Sequence, residues 1–145
     1  MGTQPAYETD FYSWTQEQAL LLKAGLFNEL DTLNLIDEIE DMASNKRREL
    51  KTRLKVLLLH LLKWQYQPSH RGRSWTLTIE EQRLEIDDVL QENPGLKPEI
   101  PEQLKKAYKL GRIHAAKETG LDKNEFPEVC PWDFEQLIDD NFFPE

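Results

Sequence analysis

One apolar stretch, LKTRLKVLLLHLLKWQYQP at residues 50–68, decides the fold. Its leucines recur at spacings of three and four, which place side chains on one face of an α-helix. From Leu57 to Leu62 this helix is apolar on almost every side, and a helix tolerates that only where neighbours cover most of its surface. The stretch therefore predicts a buried central helix that ends at Pro68.

The apolar pattern continues towards the N-terminus with the same helical phase. Asp31 suits an N-cap position. The apolar residues that follow it at spacings of three and four are Leu35, Ile36, Ile39, Met42 and Ala43. This stripe lapses at the polar residues 44–48, so the sequence predicts either one helix over about 32–67 or two helices that meet near Ser44.

Capping and breaking residues indicate the other helices. We predict a first helix from Asp10 to Ala24, stopped by Gly25, and a third from about Ser74 to Glu92. A fourth helix begins near Pro98 or Pro101 and ends at Gly120; its small residues Gly111 and Ala115 indicate close backbone approach. A short helix, Phe134–Ile138, lies in a tail whose aromatic residues and prolines indicate docking on the other helices.

The predicted fold is an all-α, single-domain bundle of four principal helices with a short C-terminal helix and a docked tail. Residues 1–8 are expected to form a disordered N-terminus and residues 9–143 one helical domain, a size that a single core commonly holds.

Composition excludes several classes of protein. The single cysteine, Cys130, cannot form an intramolecular disulfide, and one Cys with three His is too few for a typical zinc site. The longest apolar run, Val56–Leu62, is far shorter than the roughly 20 residues that span a bilayer. Residues 1–7 carry no secretion signal. We expect a cytoplasmic protein with no membrane association and no cofactor.

Charge is strongly segregated along the chain. The side chains of residues 1–42 sum to -8, those of residues 43–75 to +8, and those of residues 76–145 to -9, for a total of -9. The basic residues we single out as a candidate binding surface are Arg47, Arg48, Lys63, Arg71 and Arg73. Such a surface would attract an acidic protein or, as an alternative, nucleic acid. Neutralisation of these bases by carboxylates within the fold is the competing interpretation.

Carboxylates and histidines offer a second candidate site. Asp37 and Asp41 lie one helical turn apart and are weak candidates for a metal site, unless Arg or Lys neutralises them. His60 lies inside the apolar run, where it is either a base or a core histidine bonded to a neighbour. An acid–base or metal-dependent enzyme would draw on these residues together with Asp10, Glu38 and His114. No nucleophile motif, phosphate loop or metal-binding signature supports such an enzyme.

Several motifs together resemble a known bacterial family. They are DFYSW at residues 10–14, LIDEIEDM at residues 35–42, HLLKWQYQP at residues 60–68, RSW at residues 73–75, ETGL at residues 118–121 and FPEVCPW at residues 126–132. In these motifs the chain resembles domain-of-unknown-function family twenty-nine over about residues 9–143. The resemblance implies an all-helical protein and no assigned activity.

We therefore interpret the chain as a non-catalytic intracellular binding protein with a protein partner. The alternatives are the metal-dependent or acid–base enzyme with Asp37, Asp41 and His60, and a nucleic-acid-binding module that uses residues 43–75.

Overall fold

The structure of the protein, a computed structural model, describes residues 3–145, with side chains from residue 6 onwards. The regular elements in this part of the chain are all helical, so the all-α fold class is confirmed. The α-helices are α1 (Thr3–Thr9), α2 (Phe11–Ala24), α3 (Thr32–Tyr66), α4 (Arg73–Glu92), α5 (Ile100–Thr119) and α6 (Phe134–Ile138). Short 3-10 turns lie at Phe27–Glu29, Pro68–His70, Pro94–Glu99 and Lys123–Glu125. No helix of the described chain is both long and apolar enough to cross a bilayer.

The helix ends follow the local chemistry of the sequence. The Asp10 carboxylate accepts a hydrogen bond from the Ser13 N–H at 3.0 Å and caps α2. Gly25 ends this helix in the left-handed conformation, with φ 75, which favours glycine. Of the two predictions for residues 32–67, the single helix is confirmed. The helix can continue through the polar residues 44–48 because they include neither Gly nor Pro. Helix α1 overlaps the segment 1–8 for which we predicted disorder, and residues 1–2 lie outside the described chain.

The chain forms two compact units, residues 1–44 and residues 45–145. The described part of the N-terminal unit consists of α1, α2 and residues 32–44 of α3. The C-terminal unit contains the rest of α3 together with α4, α5 and α6. The assignment of residues 9–143 to one domain stays a prediction.

The leucine stretch forms the centre of the C-terminal unit, as predicted. The α3 side chains with no exposed surface are Leu50, Leu54, Leu57, Leu58, Leu61 and Leu62. Helix α5 comes so close to α3 at Gly111 that a Cβ atom there would lie 3.4 Å from the Cβ of Leu58 and from the carbonyl oxygen of Lys55. The close backbone approach predicted from the small residues is therefore confirmed.

The tail docks on the helices of its own unit. Phe126, Trp132 and Leu137 are buried. The Tyr108 hydroxyl of α5 donates a hydrogen bond to the Pro127 carbonyl oxygen at 2.6 Å. Since an unpaired buried carbonyl group is costly, such bonds stabilise the irregular backbone against the bundle.

A buried arginine of α4 holds the end of the tail. Arg83 is 4% exposed, and its Nε and Nη2 atoms each donate at 2.7 Å, to the carbonyl oxygens of Leu137 and Phe142 respectively. Its guanidinium carbon also lies 5.4 Å from the ring centre of Phe143. Backbone carbonyls thus accept the hydrogen bonds of this cation. Burial lowers the pKa of Arg83, and the nearby carboxylates of Asp140 and Asp139 partly oppose this effect. Our sequence analysis did not identify Arg83, because nothing in α4 indicates which groups it meets.

Candidate functional site

The N-terminal unit carries an apolar groove between two helix faces. Phe11, Trp14 and Leu22 of α2 line one side, and Leu35, Ile39 and Met42 of α3 line the other. We call this feature the α2–α3 groove. It has a volume of about 320 Å³. Both sets of residues recur at spacings of three, four, seven or eight, as expected for two helix faces that border one channel.

Asp31 holds the two helices of the groove together. Its carboxylate, in a residue only 5% exposed, accepts from the indole Nε1 of Trp14 at 3.0 Å and from the amide of Asn34 at 2.8 Å. The Asp31 backbone N–H in turn donates to the side-chain oxygen of Gln18 at 2.8 Å. The sequence predicted Asp31 only as an N-cap; its second role depends on Trp14 and Gln18, which lie a whole helix earlier in the chain.

A second polar contact ties the start of the unit to α3. The Tyr7 hydroxyl donates a hydrogen bond of 2.6 Å to the Glu38 carboxylate, which raises the pKa of Tyr7 to about 12. The Tyr7 ring also meets Trp14 edge-on, with 4.7 Å between the ring centres. Because Tyr7 pairs with Glu38 and Trp14 with Asp31, the chain before residue 25 and the start of α3 run in opposite directions, as a helical hairpin.

The outer walls of the α2–α3 groove are exposed rather than buried. Ile39 and Met42 expose 62% and 66% of their surface, and Leu22 exposes 50%. Other apolar side chains of the N-terminal unit are exposed as well: Tyr12, Leu20, Phe27, Leu33 and Ile36. In an amphipathic helix, an apolar stripe of this kind normally faces the hydrophobic core. An exposed apolar groove of this kind is typical of an interaction site.

The basic residues predicted to bind a partner have different environments within the C-terminal unit. Lys63 is buried and its ammonium lies 2.7 Å from the Glu118 carboxylate. The Nε of Arg71 donates to the Trp64 carbonyl oxygen at 2.7 Å, and its guanidinium stacks on the Trp64 ring. These two cations therefore stabilise the helix packing.

The other three predicted bases differ in their exposure. Arg48 is exposed and donates to the Asn45 side chain at 2.9 Å, Arg47 is half-buried, and Arg73 is exposed at the start of α4. Sixteen helical residues separate Arg48 from Trp64, the residue that Arg71 contacts, and they span about 24 Å at 1.5 Å per residue. Arg47 and Arg48 therefore lie several turns of α3 away from Lys63 and from the residue that Arg71 contacts, so the five predicted bases do not form one compact patch.

The predicted acid–base and metal candidates do not converge either. Asp37 and Asp41 are exposed on α3, and the Asp10 carboxylate is engaged in capping α2. Among the described residues no three His, Cys, Asp or Glu side chains lie close enough together to hold a metal ion. Glu118, which follows the candidate His114 by one helical turn, forms its ion pair with Lys63.

A larger cleft, of about 480 Å³, lies beside Cys130 in the C-terminal unit. Two of its polar groups are engaged within the chain, since the Tyr108 hydroxyl donates to the Pro127 carbonyl oxygen and the Cys130 Sγ donates to the Trp132 carbonyl oxygen at 3.3 Å. Burial raises the pKa of the Cys130 thiol, which disfavours the reactive thiolate. The arrangement lacks an activated nucleophile at this position.

His60 is a half-buried histidine of α3, bonded to its own helix. Its Nδ1 lies 2.8 Å from the Val56 carbonyl oxygen, which can only accept, so Nδ1 carries the proton. Burial lowers the pKa of His60, an effect that the bond to Val56 and the nearby Glu118 only partly oppose. The neighbour that we expected His60 to bond is therefore a backbone carbonyl of its own helix.

This environment makes the stability of the protein depend on pH. As the pH falls through about 6.5, His60 is protonated in the unfolded chain before it is protonated in the folded one, so the free energy of unfolding decreases. We expect His60→Gln to flatten this dependence between about pH 7 and pH 5, measured by urea denaturation. His70→Gln is the matched control, because His70 is exposed. A slope that His60→Gln leaves unchanged would show that His60 titrates alike in both states.

Comparison with known proteins gives one finding. The family described as "Domain of unknown function DUF29" matches residues 6–143. No curated protein and no solved structure matches the chain.

Proposed function

We propose that this chain, which belongs to the family Domain of unknown function DUF29, is a non-catalytic binding protein whose protein partner docks on the α2–α3 groove. The observation that carries the proposal is the exposure of Ile39 and Met42, 62% and 66%, on a helix face of regular apolar spacing. Leaving such a face in water is unfavourable, at roughly 25 cal/mol per Å² of apolar surface. A partner that covers the groove recovers this free energy.

The rigidity of the groove also supports a binding role. The bonds of Asp31 with Trp14 and Gln18 and the bond of Tyr7 with Glu38 hold both walls before any partner arrives. A preformed surface loses little conformational entropy on binding. We propose the cytoplasm as the location, because the single cysteine, Cys130, suits a reducing compartment.

The test is a comparison of two double variants. Ile39→Gln/Met42→Gln removes the apolar wall of the groove, and Leu77→Gln/Leu84→Gln changes two exposed leucines of α4 as a control. Each exposed substitution is expected to alter the free energy of unfolding by no more than about 0.5 kcal/mol. The immobilised wild-type chain, the groove variant and the control are then used to isolate proteins from the native cell.

We expect the groove variant to lose a protein that both the wild type and the control retain, while all three melt at nearly the same temperature. If the groove variant retains every protein that the wild type binds, the groove is not the binding surface. A groove variant that melts far below the control would mean that Ile39 and Met42 have a structural role.

A further inference from the structure

We infer that the occupant of the α2–α3 groove is a basic amphipathic helix of another protein. This inference rests on the proposed function and specifies its partner.

The shape of the groove fits a helix. The α2 wall extends from Phe11 to Leu22, about 16 Å at 1.5 Å per residue, and the α3 wall from Leu35 to Met42. A channel bordered by about three turns of α2 and two turns of α3 receives a third helix that presents apolar residues at spacings of three, four and seven.

The polar groups of the groove favour a helix over an extended peptide. The Gln18 side-chain oxygen accepts from the Asp31 backbone, the Glu38 carboxylate from Tyr7, and the Thr15 hydroxyl donates to the Tyr12 carbonyl oxygen. An extended peptide needs partners for its own N–H and C=O groups. A helix satisfies these groups internally, so it can lie on this apolar surface without unpaired backbone groups.

The charge around the groove specifies a basic partner. The side chains of residues 6–44 sum to -8, and Lys23 is their only basic member. Glu38 lines the groove, and Asp37 and Asp41 lie close enough to the Tyr7 hydroxyl that bonds Glu38 to help raise the pKa of Tyr7. Lys or Arg beside the apolar face of the partner is therefore favoured.

The same charge argues against the other classes of occupant. Nucleic acid and anionic lipid are repelled, since both are bound mainly through bases on the protein. If a second copy docked through the same face, two units that each carry a net charge of -8 would face each other and repel.

The experiment uses synthetic peptides and the full chain. The probe is a fluorescein-labelled peptide of about four helical turns, with Leu at spacings of three and four and Lys on the polar face. A second peptide carries Glu in place of every Lys. Fluorescence anisotropy is measured against the wild type, the groove variant Ile39→Gln/Met42→Gln, the charge variant Asp37→Asn/Asp41→Asn, and the matched control Asp87→Asn/Asp88→Asn on the exposed face of α4.

We expect the Lys peptide to bind the wild type at least about tenfold more tightly than the Glu peptide, with an affinity that falls as salt rises. The groove variant should lose this binding. The charge variant should weaken it several-fold, while the Asp87→Asn/Asp88→Asn control should not.

Several outcomes would overturn the inference. Equal weakening by the two Asp→Asn variants would indicate general attraction to an acidic protein. Equal affinity for the two peptides would mean that the groove takes helices without regard to charge. Self-association in sedimentation equilibrium that Ile39→Gln/Met42→Gln abolishes would identify a second copy as the occupant.

These outcomes are distinct from failure of the proposed function. If neither peptide binds but the groove variant still loses its cellular partner, the basic helix is the wrong occupant and the binding role stands. If the groove variant retains every cellular partner, the proposed function itself fails.

Discussion

Replacing Leu58 with aspartate is expected to abolish cooperative folding of the C-terminal unit. Leu58 has no exposed surface, and the backbone of α5 at Gly111 approaches its Cβ so closely that no water can reach a new carboxylate. An unpaired buried charge costs more than about 4 kcal/mol, against a total stability of about 5–15 kcal/mol for a domain of this kind. Urea denaturation followed by circular dichroism measures the loss.

Two other substitutions separate charge from cavity effects at this position. Leu58→Ala removes apolar volume without adding charge and should cost about 2–5 kcal/mol. Leu84→Asp places the same carboxylate at a site 61% exposed on α4 and should change the free energy of unfolding by no more than about 0.5 kcal/mol. A wild-type midpoint for Leu58→Asp would mean that the leucine face of α3 is not enclosed.

Replacing Arg83 with methionine is expected to detach the end of the tail and to lower stability by about 2–4 kcal/mol. The substitution preserves much of the side-chain volume but removes the donors that reach the carbonyl oxygens of Leu137 and Phe142 at 2.7 Å. Hydrogen bonds from a charged group contribute about 1.5–3 kcal/mol each, and the carbonyl groups would lose their partner. Hydrogen exchange over residues 134–143 and urea denaturation measure the two effects.

Arg53→Met is the control for the loss of a positive charge. Arg53 forms a surface ion pair with Glu85 at 3.3 Å, and both side chains are more than 30% exposed. Such pairs contribute about 0–1 kcal/mol, so this variant should retain nearly full stability and tail protection. If Arg83→Met and Arg53→Met behave alike, the bonds from Arg83 do not hold the tail.

The helices were predictable because their signals are local. The cap at Asp10, the glycine stop at Gly25 and the leucine spacing of α3 act within a few residues of chain, and the structure confirms all three. Two local signals disagreed at residues 44–48. The apolar stripe lapses there, which suggested a break in α3, but no residue in this stretch prevents the backbone from continuing as a helix.

The candidate site was not predictable in the same way. Ile39 and Met42 have the spacing of core residues, and no property of the stripe itself shows that about two thirds of each side chain stays exposed. For the basic residues the error is the reverse, since a side chain predicted to be exposed is buried. Lys63 was assigned to a binding surface because it is basic, but the carboxylate of Glu118, which is distant in sequence, lies 2.7 Å from its ammonium group. Exposure depends on which elements meet, and helical spacing specifies only which residues share a face.

By itself, the sequence determined the all-α class, the positions of α2, α4, α5 and α6, the buried leucine face of α3 and the acidic charge of residues 1–42, because backbone propensity, side-chain spacing and formal charge are properties of the chain. Only the tertiary structure decided that Asp31 joins Trp14 and Gln18, that Arg83 binds backbone carbonyls of the tail, and that the apolar stripe of α3 borders an open groove. Each of these depends on residues that are distant in sequence and meet through packing, which is why no local pattern specifies them.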